Sequence, residues 1–241
     1  MEMTERLVAA AFSSLENLPQ ALGRSLSNGR ARELVNAVQV DSPLITAFVA
    51  LCVFVHLLPG DGGGAPAFFS CPPWRAFDVR SPLAYLRLLS HAVGHGSVAH
   101  LRGNVVNLLL VGPACERAFG AVHLLKIMLW TAFASGVAHM ALGKAGTAQL
   151  GASGVVFSLI LLNSLLARKG GKLPLTFVLT AALWLSGELG GALSGGNSGI
   201  SHVAHLSGAL VGTVFGYRRL KLSVRERLAH ARAAFSGYKG E

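Results

Sequence analysis

The chain has 241 residues, of which 52% are hydrophobic and only 13% charged. An average soluble domain carries about 25% charged residues, so a soluble globular surface is excluded, and the hydrophobicity excludes disorder. The 29 glycines follow no three-residue period, which excludes a collagen-like chain and leaves a polytopic membrane protein as the expected class. In a soluble protein the net charge of +10 would suggest nucleic acid. Here the basic residues gather in one short loop and the C-terminal tail without interleaved aromatics, as they do in cytoplasmic segments of membrane proteins. No nucleic-acid partner is expected.

In chain order, residues 1–41 form an N-terminal segment outside the bilayer, polar and partly helical. Leu7, Ala10, Ala11 and Leu15 give it a weak amphipathic face. Its apolar run is too short for a signal-peptide core, and Glu2 and Glu5 stand against a presequence. Residues 43–59 make a first membrane helix that stops at Pro59-Gly60. A long first loop follows, about 60–96, rich in glycine and proline. Its Phe68, Phe69, Trp74 and Phe77 suit the headgroup level. Five more apolar stretches lie at roughly 97–118, 121–142, 152–168, 174–193 and 200–217. Each is near the roughly 17–25 residues needed to cross. The expectation is an all-α membrane protein with a six-helix bundle over 42–218 and a basic cytoplasmic tail over 219–241.

Six spans put both termini on one side. Arg117, the cluster Arg168, Lys169 and Lys172, and the tail assign that side to the cytoplasm, while Lys144 stands alone opposite. Cys52, Cys71 and Cys115 form no CxxC pair, so neither a disulfide framework nor a zinc site is expected from them.

Polar groups inside membrane helices are costly and mark function. The second span holds His100, Asn104 and Asn107 at i, i+4, i+7, one helix face, with Arg102 beside them. The fourth begins Gly151-Ala152-Ser153-Gly154 and the sixth Ser201-His202-Val203-Ala204-His205. With the N-terminus inside, the second, fourth and sixth spans all start at the outer face. These groups then sit roughly 0–10 Å below it at 1.5 Å per residue. His205, Gly208, Gly212 and Gly216 lie on one stripe, and glycine at that spacing lets a neighbouring helix approach closely. The His205 imidazole can thus reach the Ser153 hydroxyl.

A serine hydroxyl is a poor nucleophile until a base takes its proton, and histidine titrates near neutral pH. Acyl transfer also needs donors for the developing oxyanion. Asn104 offers an amide, His100 a ring N–H, and Ser153 its own backbone N–H. After Asp78 there is no Asp, and the only Glu are Glu116, Glu188, Glu226 and Glu241. Of these, only Glu188 can approach the outer pocket. A serine–histidine pair is expected rather than a triad.

Four motifs stand in order along the second, fourth and sixth spans. They are His91-Ala-Val-Gly-His95-Gly-Ser-Val-Ala-His100-Leu-Arg-Gly-Asn104; Glu116 with Gly120; Gly151-Ala-Ser153-Gly154; and Ala204-His205-Leu-Ser-Gly208 with Gly212. Over about residues 85–217 the chain resembles the rhomboid family of intramembrane serine proteases. The resemblance implies a six-helix rhomboid-like bundle. It implies Ser153 as nucleophile and His205 as general base, with His100 and Asn104 in the oxyanion hole. Gly151, Gly154, Gly208, Gly212 and Glu116 support them. It also implies single-span transmembrane proteins as substrates, cut near the outer or lumenal face, and neither cofactor nor metal.

Arg87 resembles the arginine of the family's first-loop Trp-Arg motif, with Leu86 where tryptophan is usual; Trp74-Arg75 lies farther from His91 and is the weaker choice. Phe157 stands where the family often has a tyrosine against the catalytic histidine. His91 and His95 read as structural, loop-anchoring groups, His202 as rim-facing, Asn107 as interhelical glue, and Glu116 with Arg117 as a tie between helix ends. A zinc site from His91, His95, His100 and His205 fits by ligand type but has no carboxylate to orient it. A water-admitting roof is expected from 143–151 or 194–199. The alternative function is a catalytically inactive rhomboid-like protein that binds transmembrane clients; the intact Ser153, His205, His100 and Asn104 speak against it. A transporter would show repeated helices and a charged central site, and the sequence shows neither.

Overall fold

Two glycines set the path of the chain. Gly120, at φ +74°, ends one 22-residue helix and caps the next, so the chain reverses on a single residue in a conformation L side chains avoid. Gly112 lets two helices touch, because a Cβ there would lie 2.8 Å from Ile45. The computed structural model describes residues 2–25, 29–59, 67–166, 172–193, 202 and 205–218.

The helices in order are α1 (Glu2–Glu16), α2 (Leu18–Ser25), α3 (Gly29–Asn36), α4 (Pro43–Leu57), α5 (Pro82–Ser90), α6 (Val98–Phe119), α7 (Ala121–Leu142), α8 (Ser153–Leu166) and α9 (Leu175–Leu193). A further helix, α10, covers 205–218. Pro43 opens α4, where its missing N–H is harmless. Ser97 caps α6 by accepting from the His100 N–H at 3.1 Å.

The core forms where α6 packs between α4 and α8. Leu44, Ile45, Leu108, Cys115, Leu124, Leu159 and Leu162 fill it. α7 closes it on another side, and Phe12 of α1 packs against it from the N-terminal segment. The glycine stripe seats α10. A Cβ at Gly208 would strike Ser135 Oγ, one at Gly212 would strike Thr131 Oγ1 and Ser158 Oγ, and one at Gly216 would strike Leu162. α10 therefore lies backbone-close to α7 and α8.

The described helices follow the predicted stretches to within a few residues, but their lengths differ. α6 and α7, at 22 residues each, are about 33 Å long, enough for a hydrocarbon core of about 30 Å. Among the described residues only α7 is both long and apolar enough to cross by itself. α4 and α8 are apolar but have 15 and 14 residues, and α6 is made less apolar by Arg102, Asn104, Asn107, Glu116 and Arg117. The six-span reading rests on the sequence pattern.

The first loop is more structured than predicted. It contains α5, packed against α7, and short 3-10 turns at Ala67–Phe69, Trp74–Ala76 and His91–Val93. α5 alternates buried Ala84 and Leu88 with exposed Leu83, Tyr85, Leu86 and Leu89. The N-terminal segment, expected to be partly helical, carries three helices. The predicted 194–199 turn, Arg168 and Lys169, Ser201, Ala204 and the basic tail 219–241 lie outside the described residues, as does the side chain of Glu188.

Candidate active site

Ser153 is the first residue of α8, so its N–H and those of the next residues have no partner within the helix. Gly151, two residues earlier, adopts φ +112° and makes the turn into it. His205 is the first residue of α10 as described. The two side chains meet: Ser153 Oγ lies 2.6 Å from His205 Nε2. Both are buried, at 7% and 8% exposure, so their hydrogen bond is shielded from competing water. The contact joins residues 52 apart in sequence.

Small residues make this meeting feasible. A Cβ on Gly154 would come 2.7 Å from Ser135 Oγ, and the same oxygen blocks a Cβ on Gly208. Ser135 thus sits where α7, α8 and α10 converge. The sequence reading did not single it out; the small run Ala134-Ser135-Gly136 in an otherwise bulky helix was its signal.

His100 and Asn104, one turn apart on α6, converge on Gly151. The site a Gly151 Cβ would occupy is 2.7 Å from His100 Nε2 and 3.5 Å from Asn104 Nδ2. Any side chain at 151 would displace the His100 ring and press into contact with Asn104, over and above the strain of its backbone. The predicted face of α6 divides there. Among the described residues Asn107 makes no bond across helices; its Nδ2 donates to Gly103 O at 2.8 Å within α6, the reachable carbonyl one turn back. Arg102 points to the exposed side.

The first loop is fastened to this site. His91 Nε2 bonds Ala132 O of α7 at 3.0 Å, and His91 O accepts from Gly151 N at 2.9 Å. Cys71 and Gln149 pair as a two-bond antiparallel bridge, 2.8 and 2.9 Å. The 143–151 connection, predicted as a mobile roof, is therefore tied at its far end. Arg87 lies away from the Ser153–His205 pair: Nε donates to Ser70 O at 2.5 Å and Nη2 to Ser70 Oγ at 3.2 Å, bracing the loop on itself. Trp74 stacks on Phe77, with the rings 6.3 Å apart.

Phe157 departs from a stacked arrangement. Its ring is 6.1 Å from that of His205 and tilted by 47°, and it lies closer to Trp184, at 4.6 Å. The larger indole face draws the phenyl ring toward α9. Two loop histidines are held neutral by burial: His91 and His95 are pushed down from 6.5 to about 4. Burial pushes the Cys71 thiol the other way, up to about 11, and Arg87 opposes this only in part. Cys71 therefore stays a thiol.

The rhomboid domain model matches residues 82–222, more than half of the chain. The chain belongs to the rhomboid family. Rhomboid family proteins are integral membrane proteins. Similar proteins include the rhomboid protease GlpG of Serratia proteamaculans (strain 568), 26% identical over 181 residues that make up 73% of this chain and 62% of that protein. The rhomboid protease GlpG of Yersinia pestis (strain Pestoides F) is also 26% identical, over 189 residues, 76% of this chain and 65% of that protein. The match thus spans less than two thirds of the length of either relative. The motifs that carry the site all lie inside the matched domain.

At the opposite end of α6, Glu116 accepts from the Leu44 and Ile45 N–H groups at 2.9 and 3.0 Å, and neighbouring Arg117 meets Asp41 at 3.4 Å. The only glutamate of the motif set is therefore committed to holding the start of α4, about 18 Å along the helix axis from Asn104.

Proposed function

We propose that this protein is an intramembrane serine endopeptidase that cuts single-span transmembrane proteins near the outer or lumenal membrane face. The observation that carries the reading is the buried 2.6 Å contact between Ser153 Oγ at the start of α8 and His205 Nε2 of α10. In this mechanism His205 Nε2 takes the hydroxyl proton as Ser153 Oγ attacks the scissile carbonyl carbon. The tetrahedral oxyanion receives hydrogen bonds from the Asn104 amide, the His100 ring and the N–H at the start of α8. His205 then gives its proton to the leaving amine. Water, deprotonated by the same imidazole, hydrolyses the acyl-enzyme and restores the serine.

A serine–histidine pair is proposed rather than a triad. The chain has no Asp after Asp78, and Glu116 is occupied at the far end of α6. The positive charge of the tail and loops supports cytoplasmic termini and a site that opens to the other side. A helix entering this site must expose a carbonyl, so a substrate that unwinds readily near that face is favoured.

The test is release of a single-span reporter from membranes or proteoliposomes. The parent protein is expected to release it, and Ser153→Ala and His205→Ala are expected to abolish release while keeping the parent's melting profile. Reporter that stays intact with the folded parent but co-purifies with it would favour the client-binding alternative.

A further inference from the structure

The side-chain donors of the site do not set their own orientation. An asparagine amide can face either way, and only one face stabilises an anion. The neighbour of Asn104 decides which. His95 is fully buried at the base of the first loop, and each of its ring nitrogens has a distinct partner. Nδ1 lies 3.2 Å from Val93 O. A carbonyl only accepts, so Nδ1 carries the proton, and in a neutral ring Nε2 is then the acceptor. Two N–H groups face that lone pair: Asn104 Nδ2 at 3.0 Å and the Ala152 backbone N–H at 3.5 Å. A flipped Asn104 would set its carbonyl oxygen against the lone pair, so the amide is locked with Nδ2 toward His95 and Gly151. One Nδ2 hydrogen is spent on His95, and the other remains for the site beside Ser153.

We infer that His95 is a positioning residue for the proposed hydrolysis: as an obligate hydrogen-bond acceptor, it anchors the Ala152 N–H at the entrance to α8 and orients the Asn104 amide so that its second Nδ2 hydrogen serves the oxyanion. The inference rests on the protease reading above and extends it to a residue that touches no reacting atom. Other groups around His95 suit the role. His56 of α4 bonds His95 O through Nδ1 at 3.2 Å, fixing the backbone. The His100 ring meets the His95 ring edge-on at 5.1 Å. A proton on His95 would turn Nε2 into a donor facing two donors and bring a charge beside His100. Burial and the adjacent His100 both oppose that proton, so the acceptor state persists through the neutral range.

The test is a double-mutant cycle on the full chain in proteoliposomes, with cleavage of a single-span reporter as readout. His95→Leu is expected to lower kcat about 10- to 100-fold with KM within about threefold, since an oxyanion donor is worth about 10²–10³. His95→Gln, whose amide oxygen can replace Nε2 as acceptor, is expected to return to within about fivefold of the parent. In an Asn104→Ala background His95→Leu should cost no more than about twofold further, because its effect runs through Asn104. Fully additive losses, or a Gln variant no better than Leu, would overturn the inference.

A second readout does not depend on activity and so separates failure of this inference from failure of the protease reading. ¹⁵N-histidine NMR of the parent should show His95 protonated at Nδ1 and accepting at Nε2. Asn104→Ala should move the Nε2 resonance toward that of a less hydrogen-bonded nitrogen. A proton on Nε2, or a resonance indifferent to Asn104, overturns the positioning role even if the protein cleaves nothing.

Discussion

At one end of α6, Asn104 and the facing Ser153–His205 pair are held by bonds between side chains; at the other, Glu116 spends both oxygens on the backbone N–H groups of Leu44 and Ile45. Both ends bury polar groups at similar exposure, 6% for Glu116 and 7% for Ser153. They differ in what a reaction can use. A carboxylate saturated by main-chain donors cannot exchange partners without unfolding the start of α4. A hydroxyl held by one imidazole can pass its proton and regain it. The same need to satisfy buried polar groups thus yields a brace at one end and, in the proposed function, a reactive pair at the other.

Substitutions at the two ends should separate accordingly. The largest effect belongs to the reactive end. Ser153→Ala and His205→Ala should each lower reporter cleavage by about 10⁴-fold or more, and the double variant should be no worse, as for residues that act as a unit. Single-turnover cleavage assays check this, and additive losses would break the comparison. The brace should show the reverse pattern. Glu116→Ala leaves the Leu44 and Ile45 N–H groups without their acceptor and should destabilise the fold by about 2–6 kcal/mol, at about 1–3 per orphaned group. The properly folded fraction should keep its kcat. A thermal melt in detergent beside the cleavage assay measures both, and an unchanged melt with lost cleavage would contradict the assignment.

Acid should act on the first loop. His91 and His95 are nearly unexposed, and each is lowered from 6.5 to about 4 in the fold. The unfolded chain takes up these protons first, so stability is constant above about pH 6.5 and falls between there and about pH 4. Each histidine contributes a loss of up to about 3 kcal/mol, after which its contribution levels off. Melting temperatures across that range test the sign, and a flat profile would show that the loop admits the charged ring. The smallest effect is expected at Phe157→Tyr. The ring already lies tilted toward Trp184, so the added hydroxyl should change kcat by less than about threefold, about 0.7 kcal/mol at the barrier.

The helical architecture was legible because apolar runs and glycine punctuation are local signals. α7 and α8 begin within a residue of their predicted starts because Gly120 and Gly151 each force a turn. α5 was not legible: its apolar Leu83, Leu86 and Leu89 face outward, so its periodicity reports surroundings rather than a protein core. The Ser153–His205 pairing could be anticipated from the glycine stripe that brings α10 close to its neighbours. The work of His95 could not, since it depends on which ring nitrogen meets which distant group. Asn107 shows the same limit, its spacing suggesting a partner across helices while its amide turns back to Gly103.

The most direct test of the central claim is labelling of the purified protein with a fluorophosphonate, followed by mass spectrometry of the adduct. A single phosphonylated residue, Ser153, is expected, with labelling absent in Ser153→Ala and strongly slowed in folded His205→Ala. Labelling at the parent rate in Ser153→Ala, or none in the folded parent, would contradict it.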